Sequence, residues 1–127
     1  MRLRVLIVDD SPVNQKVVAH LVAALGFEYD LAANGDEAVR LASLHDYGLI
    51  LMDLRTPHMD GFTAAREIRG SGNNVPIIGF SAYPMTDDAG KCTESGMNEF
   101  LPKPVNKGDF EEAFKRWVNT ALSEKPG

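Results

Sequence analysis

The sequence predicts a single α/β domain of the doubly wound kind, a parallel sheet covered by helices on both faces. Three observations carry this. Strand-like runs alternate with helix-period segments five times, the pattern of βαβ units. Two of the runs, residues 3–8 and 49–52, are almost entirely Leu, Ile, Val and Met, as strands buried on both faces are. Both end in acid, Asp9-Asp10 after the first and Asp53 after the second. Open α/β sheets gather their functional groups beyond the carboxyl ends of their strands, so three acids left there would share one site.

The elements follow in order. Ser11 can cap the first helix and Pro12 suits its first turn; Val13, Val17, Leu21, Val22 and Leu25 mark the expected buried face, and Gly26 stops it. A second strand over residues 28–32 leads through Asn34-Gly35 into a short helix carrying Ala38, Val39, Leu41 and Ala42. The third strand ends at Asp53, and a loop over 54–60 containing Pro57 precedes a helix from about Gly61 to Arg69. Asn73-Asn74 turn the chain into a fourth strand, residues 75–80, which delivers Ser81 to the edge that holds the acids. Residues 84–97 are rich in Thr, Asp, Gly, Ser and Glu with few apolar anchors, the weakest helix of the chain and a candidate moving part. A fifth strand, residues 98–101, delivers Lys103, and Phe110, Ala113, Phe114, Trp117, Val118 and Ala121 recur at helical spacing as the core face of the last helix. Residues 1–122 are expected to form the domain, and 123–127 a tail or linker stub.

Length and composition bound the function classes. A chain of 127 residues suits one core, and 44% apolar with 24% charged residues is ordinary for a globular protein. A net charge of -5 without any basic run argues against direct nucleic-acid binding. No apolar stretch reaches membrane-spanning length, and strand-like sequence directly after Met1 leaves no room for a signal peptide. The one cysteine, Cys92, excludes an internal disulfide and suits a reducing cytoplasm. His20, His45 and His58 lack ligand spacing and read as structural or exposed.

A concentrated acidic site wants a hard cation, and it also offers a nucleophilic oxygen, since carboxylates form acyl phosphates and a metal offsets their repulsion of an incoming phosphoryl group. Taken singly, each residue has a plainer use. An aspartate at a strand end caps a helix, Lys103 is a solvated amine and Ser81 a turn hydroxyl. Five such residues at strand ends in one sheet point to a site.

These residues resemble the receiver domains of bacterial two-component response regulators and hybrid histidine kinases. The resemblance rests on Val-Asp-Asp-Ser at 8–11, Leu-Met-Asp-Leu at 51–54, Pro57, Met59-Asp60-Gly61, Ser81-Ala82 and Leu-Pro-Lys-Pro at 101–104. It implies a (βα)5 fold of flavodoxin-like strand order 2-1-3-4-5. It further implies that Asp53 accepts a phosphoryl group from a phosphohistidine, on a histidine kinase or histidine phosphotransfer protein, with Asp9, Asp10, Asp53 and the backbone carbonyl of Arg55 around Mg²⁺. Lys103 would pair with the phosphoryl oxygens and Ser81 would hydrogen-bond one of them.

The same resemblance implies a switch: Ser81 moves toward the phosphate, Phe100 fills the vacated space, and the face of the fourth helix, fifth strand and fifth helix meets a downstream protein. Ordinary core packing is the other use of Phe100. With Pro104 after Lys103, the resemblance also implies a cis Lys103-Pro104 bond that aims the lysine inward. Arg55 and Tyr83, each two residues beyond a site residue, could form a cation-π lid that slows hydrolysis, or could simply face a partner. Thr56 stands where methionine is common in the family. Two other readings compete. A phosphorylation-independent pseudo-receiver would not need all five chemical residues, which are present, and a haloacid-dehalogenase-like phosphohydrolase would want Asn or Asp at position 11, where Ser11 stands. The run around Lys103 resembles hybrid-kinase receivers more than stand-alone regulators.

Overall fold

The computed structural model describes residues 4–55, 59–81, 88–103 and 106–124, the side chains of 88–89 and 119–124 excepted. Strands and helices alternate strictly: β1 (Arg4–Val8), α1 (Pro12–Ala24), β2 (Glu28–Ala32), α2 (Gly35–Leu44), β3 (Leu49–Asp53), α3 (Gly61–Gly70), β4 (Ile77–Ser81), α4 (Asp88–Ser95), β5 (Glu99–Pro102) and α5 (Lys107–Glu124). The five strands are parallel in the order β2-β1-β3-β4-β5. The order reverses between β1 and β3, so their carboxyl ends open onto the crevice where such sheets carry their chemistry.

Period-2 alternation divides the central strands between two apolar layers. Leu6, Val8, Ile50, Met52 and Ile77 face α2 and α3, packing on Ala38, Ala42, Phe62, Ala65 and Ile68. Val5, Ile7, Leu49, Leu51, Ile78 and Phe80 face α1 and α5, packing on Val18, Val22, Phe110, Phe114 and Val118. A strand buried on both sides has no use for polar alternation, which is why these runs read as unbroken apolar sequence.

Helix starts follow their capping residues. Ser11 Oγ accepts from Asn14 N–H at 3.3 Å, Asn34 Oδ1 from Glu37 N–H at 2.9 Å and Asp60 Oδ1 from Thr63 N–H at 2.8 Å. Gly26, just past α1, has φ +90°, the left-handed conformation that ends a helix. β4 starts after Pro76 and β5 one residue later than the sequence suggests.

The buried face of α1 needs correction. Val13 and Val17 are 69% and 53% exposed, while Val18, Ala19 and Val22 are buried and Leu21 and Leu25 only flank them. α1 is apolar on two adjacent sides, so its pattern does not set its rotation; Ala19 beside Val18 and Val22 lets the helix lie close to the sheet. Thr56, Pro57, His58, Tyr83 and Pro104 lie outside the described residues, as do the Arg55–Tyr83 lid, the Lys103-Pro104 peptide bond, residues 84–87 of the weak helix and 125–127 of the tail.

Candidate functional site

Two of the acids at the sheet edge, Asp9 and Asp53, use one carboxylate oxygen to shape the loop that follows. Asp9 Oδ1 accepts from Ser11 N–H at 2.9 Å and Asp53 Oδ1 from Arg55 N–H at 3.1 Å. These are Asx turns, which lead the chain off β1 and β3. The remaining oxygens face each other across the crevice, and Lys103 joins them, its Nζ 2.8 Å from Asp9 Oδ2 and 3.2 Å from Asp53 Oδ2. Lys103 is held in turn by its backbone N–H, which donates to the Ser81 carbonyl at 2.7 Å.

Asp9, Asp10 and Asp53 each present a carboxylate oxygen, and the three lie within 4.8 Å of one another. Asp9 and Asp53 are buried and Asp10 is exposed. Ser81 is buried at the same edge, and its Oγ has no hydrogen-bond partner among the described residues. The structure thus brings together Asp9, Asp10, Asp53, Lys103 and Ser81. Arg55 follows in the exposed loop after Asp53. Phe100 is half-buried against the layer under α2 and α3, beside a cavity of about 250 Å³ lined by Cys92, Thr93, Met97, Asn98 and Glu99. His20 and His45 are exposed and outside the acidic cluster.

Burial is the largest influence on Asp53 and raises its pKa; the Asp9 charge adds to it, and the Arg55 N–H and Lys103 ammonium only partly oppose it. For Lys103, burial pulls downward but is outweighed by the bond to Asp9 and the charges of Asp53 and Asp9, so its pKa is raised. Three acids against one ammonium leave two formal negative charges in a site made of oxygen donors. That donor set fits a hard divalent cation such as Mg²⁺.

Two supporting residues escaped the sequence reading. Gly61 lies so close behind β3 that a Cβ there would meet the Asp53 carbonyl oxygen at 2.6 Å and Leu54 Cα at 2.9 Å. Gln15, on the first turn of α1, donates from Nε2 to the Asp9 carbonyl at 2.7 Å. Both belong to residue types common on any surface, and only the Met59-Asp60-Gly61 match pointed toward the first.

Comparison with known proteins agrees with this geometry. The family model described as "Response regulator receiver domain" matches residues 5–115. Sensor histidine kinase RcsC of Escherichia coli is 34% identical over 103 residues, covering 81% of this chain, and the chain spans only 11% of that protein's length. Among solved structures, the receiver domain of sensor histidine kinase PA1611 from Pseudomonas aeruginosa superposes with a TM-score of 0.86 at 39% identity, covering 94% of this chain and 99% of that one; it was crystallised with magnesium coordinated in its active-site cleft. The receiver domain of the Saccharomyces cerevisiae response regulator Ssk1, solved with the histidine phosphotransfer protein Ypd1, gives a TM-score of 0.87 at 32% identity, covering 97% of this chain and 94% of that one. With its doubly wound sheet, its acids at the β1 and β3 ends and a family match over most of its length, this chain belongs to the response regulator receiver domains of two-component signalling.

Proposed function

We propose that this receiver takes a phosphoryl group from a phosphohistidine onto Asp53. The observation that carries the reading is Lys103 bridging Asp9 and Asp53 within a three-carboxylate cluster. In the transfer, an Asp53 carboxylate oxygen forms the new O–P bond as the P–N bond breaks, its electron pair passing to the imidazole nitrogen. Little covalent work is asked of the protein, so alignment and charge neutralisation account for the catalysis. Asp9, Asp10, Asp53 and the Arg55 carbonyl would hold Mg²⁺, which when bound offsets charge on the phosphoryl oxygens.

The chain's own groups do the rest. The Asx turn to Arg55 holds one Asp53 oxygen and leaves the other toward the crevice. Lys103, tethered through Ser81, offers a compact positive charge to an arriving phosphoryl oxygen. Ser81 Oγ is a spare donor at the same edge. Its engagement would bias Phe100 and the α4-β5-α5 face, the surface we assign to a downstream protein.

A hybrid histidine kinase is the parent we favour, with residues 1–122 as the receiver and a cytoplasmic setting; no described helix is long and apolar enough to cross a membrane. Mass spectrometry after incubation with acetyl phosphate and Mg²⁺ tests the assignment: wild type gains one phosphoryl group, mapped to Asp53, and Asp53→Ala gains none. Modification at another residue refutes it, and no modification at all refutes it and favours a pseudo-receiver.

A further inference from the structure

We propose that Gln15 is a positioning residue for Asp10, setting the direction in which this exposed acid presents its carboxylate to a divalent cation. The inference rests on the Mg²⁺ reading above and assigns a role to a residue outside the acidic cluster.

Asp10 differs from its two companions. Asp9 and Asp53 are each anchored at both carboxylate oxygens, by a loop N–H and by Lys103. Among the described residues the Asp10 side chain has no hydrogen bond, so the part of its direction that the fold fixes is the Cα–Cβ bond, which the backbone sets. Peptide units are planar, and the Asp10 Cβ direction is fixed once the planes on either side of its Cα are fixed. The plane after Asp10 carries Ser11 N–H, which Asp9 Oδ1 holds at 2.9 Å. The plane before it carries the Asp9 carbonyl, and that oxygen takes the Gln15 amide at 2.7 Å. Gln15 Nε2 also lies 3.4 Å from the Ala32 carbonyl, which accepts Asp9 N–H at 3.0 Å. One side-chain amide therefore ties the exits of β1 and β2 together at the residue preceding Asp10.

Gln15 is in turn rigid by position. Its backbone N–H donates to the Ser11 carbonyl at 2.9 Å, closing the first turn of α1, so the amide approaches the strand ends from a fixed helix. Without that amide the plane before Asp10 is free to rock, and Asp10 loses its aim while Asp9 keeps both of its own partners. Groups that orient metal ligands from behind are worth about tenfold or more in metal affinity.

Calorimetric titration of the full chain with Mg²⁺ alone, at a temperature where circular dichroism shows every variant folded, provides the test. Wild type is expected to bind, and Gln15→Met, of similar length without a donor, to bind about tenfold more weakly. Gln15→Glu should also weaken binding despite its added negative charge, because it too lacks the donor. In the metal-free protein the Asp10 backbone amide resonance should shift or broaden in both variants. Unchanged affinity in Gln15→Met overturns the proposal, and so does tighter binding by Gln15→Glu, which would mean that charge rather than aim governs the site. If wild type itself takes up no Mg²⁺ at millimolar concentration, the metal reading fails and this inference falls with it, a result distinct from a variant that binds like wild type.

Discussion

Replacing Asp53 by Asn should stabilise the metal-free protein at neutral pH, although it removes a hydrogen-bonded member of an ion cluster. The magnitude follows from four contributions, of which only the Lys103 attraction favours the carboxylate. Asp9, whose carboxylate oxygen lies within 4.8 Å of that of Asp53, repels it by about 3.5 kcal/mol or more at an effective dielectric of about 20. Exposed Asp10 adds roughly 1 kcal/mol or less once water and salt screen it. Lys103 at 3.2 Å offsets about 5 kcal/mol. Burial of Asp53, a residue only 7% exposed, adds a cost of several kcal/mol against the ionised form. Asn keeps an acceptor for Arg55 N–H, and Lys103 keeps Asp9, so the exchange should favour the variant by roughly 1–2 kcal/mol. Urea unfolding of both proteins in chelator measures this directly.

The pH dependence fixes the sign. The Asp53 pKa is raised on folding, so the native state holds its proton more readily than the unfolded state does. Wild-type stability attributable to Asp53 is therefore present at acid pH and lost as pH rises through the folded-state value. The advantage of the Asn variant should be smallest near the acid end and reach its plateau by neutral pH. Mg²⁺ at about ten times its Kd should return roughly 1.4 kcal/mol to wild type and close much of the gap. An Asn variant less stable than wild type at pH 7.5 without metal, or a difference independent of pH, would refute the reasoning.

Ser81→Ala should raise unfolding free energy by about 1 kcal/mol, because it removes a buried hydroxyl with no partner among the described residues; a loss of stability in urea would show that the hydroxyl is satisfied. Gly61→Ala should cost about 3 kcal/mol or more, since backbone atoms of Asp53 and Leu54 cannot yield as a side-chain tip can, and thermal unfolding within about 1 kcal/mol of wild type would contradict the close approach. Val17→Ser should change stability by less than about 0.5 kcal/mol while Val22→Ser costs about 2 kcal/mol or more; comparable losses would restore the rotation of α1 that the sequence suggests.

Much of this protein is legible without coordinates because its central strands face apolar helices on both sides. Such strands must be continuously hydrophobic, and the acids that end β1 and β3 then stand out as the first polar residues after each run. Caps such as Ser11, Asn34 and Asp60 act within a few residues of themselves, so their roles are written locally. What the chain alone left open depends on distances between segments far apart in sequence. The rotation of α1 was one such matter, because two adjacent stripes sharing Val22 are both apolar and only the sheet beneath chooses Val18 and Ala19 over Val13 and Val17. The sharing of one lysine by Asp9 and Asp53 was another, since it spans 94 and 50 residues. Gln15 and Gly61 carry no mark in composition or period; what gives them meaning is the backbone carbonyl each one approaches, and a carbonyl is the same at every position until folding places it.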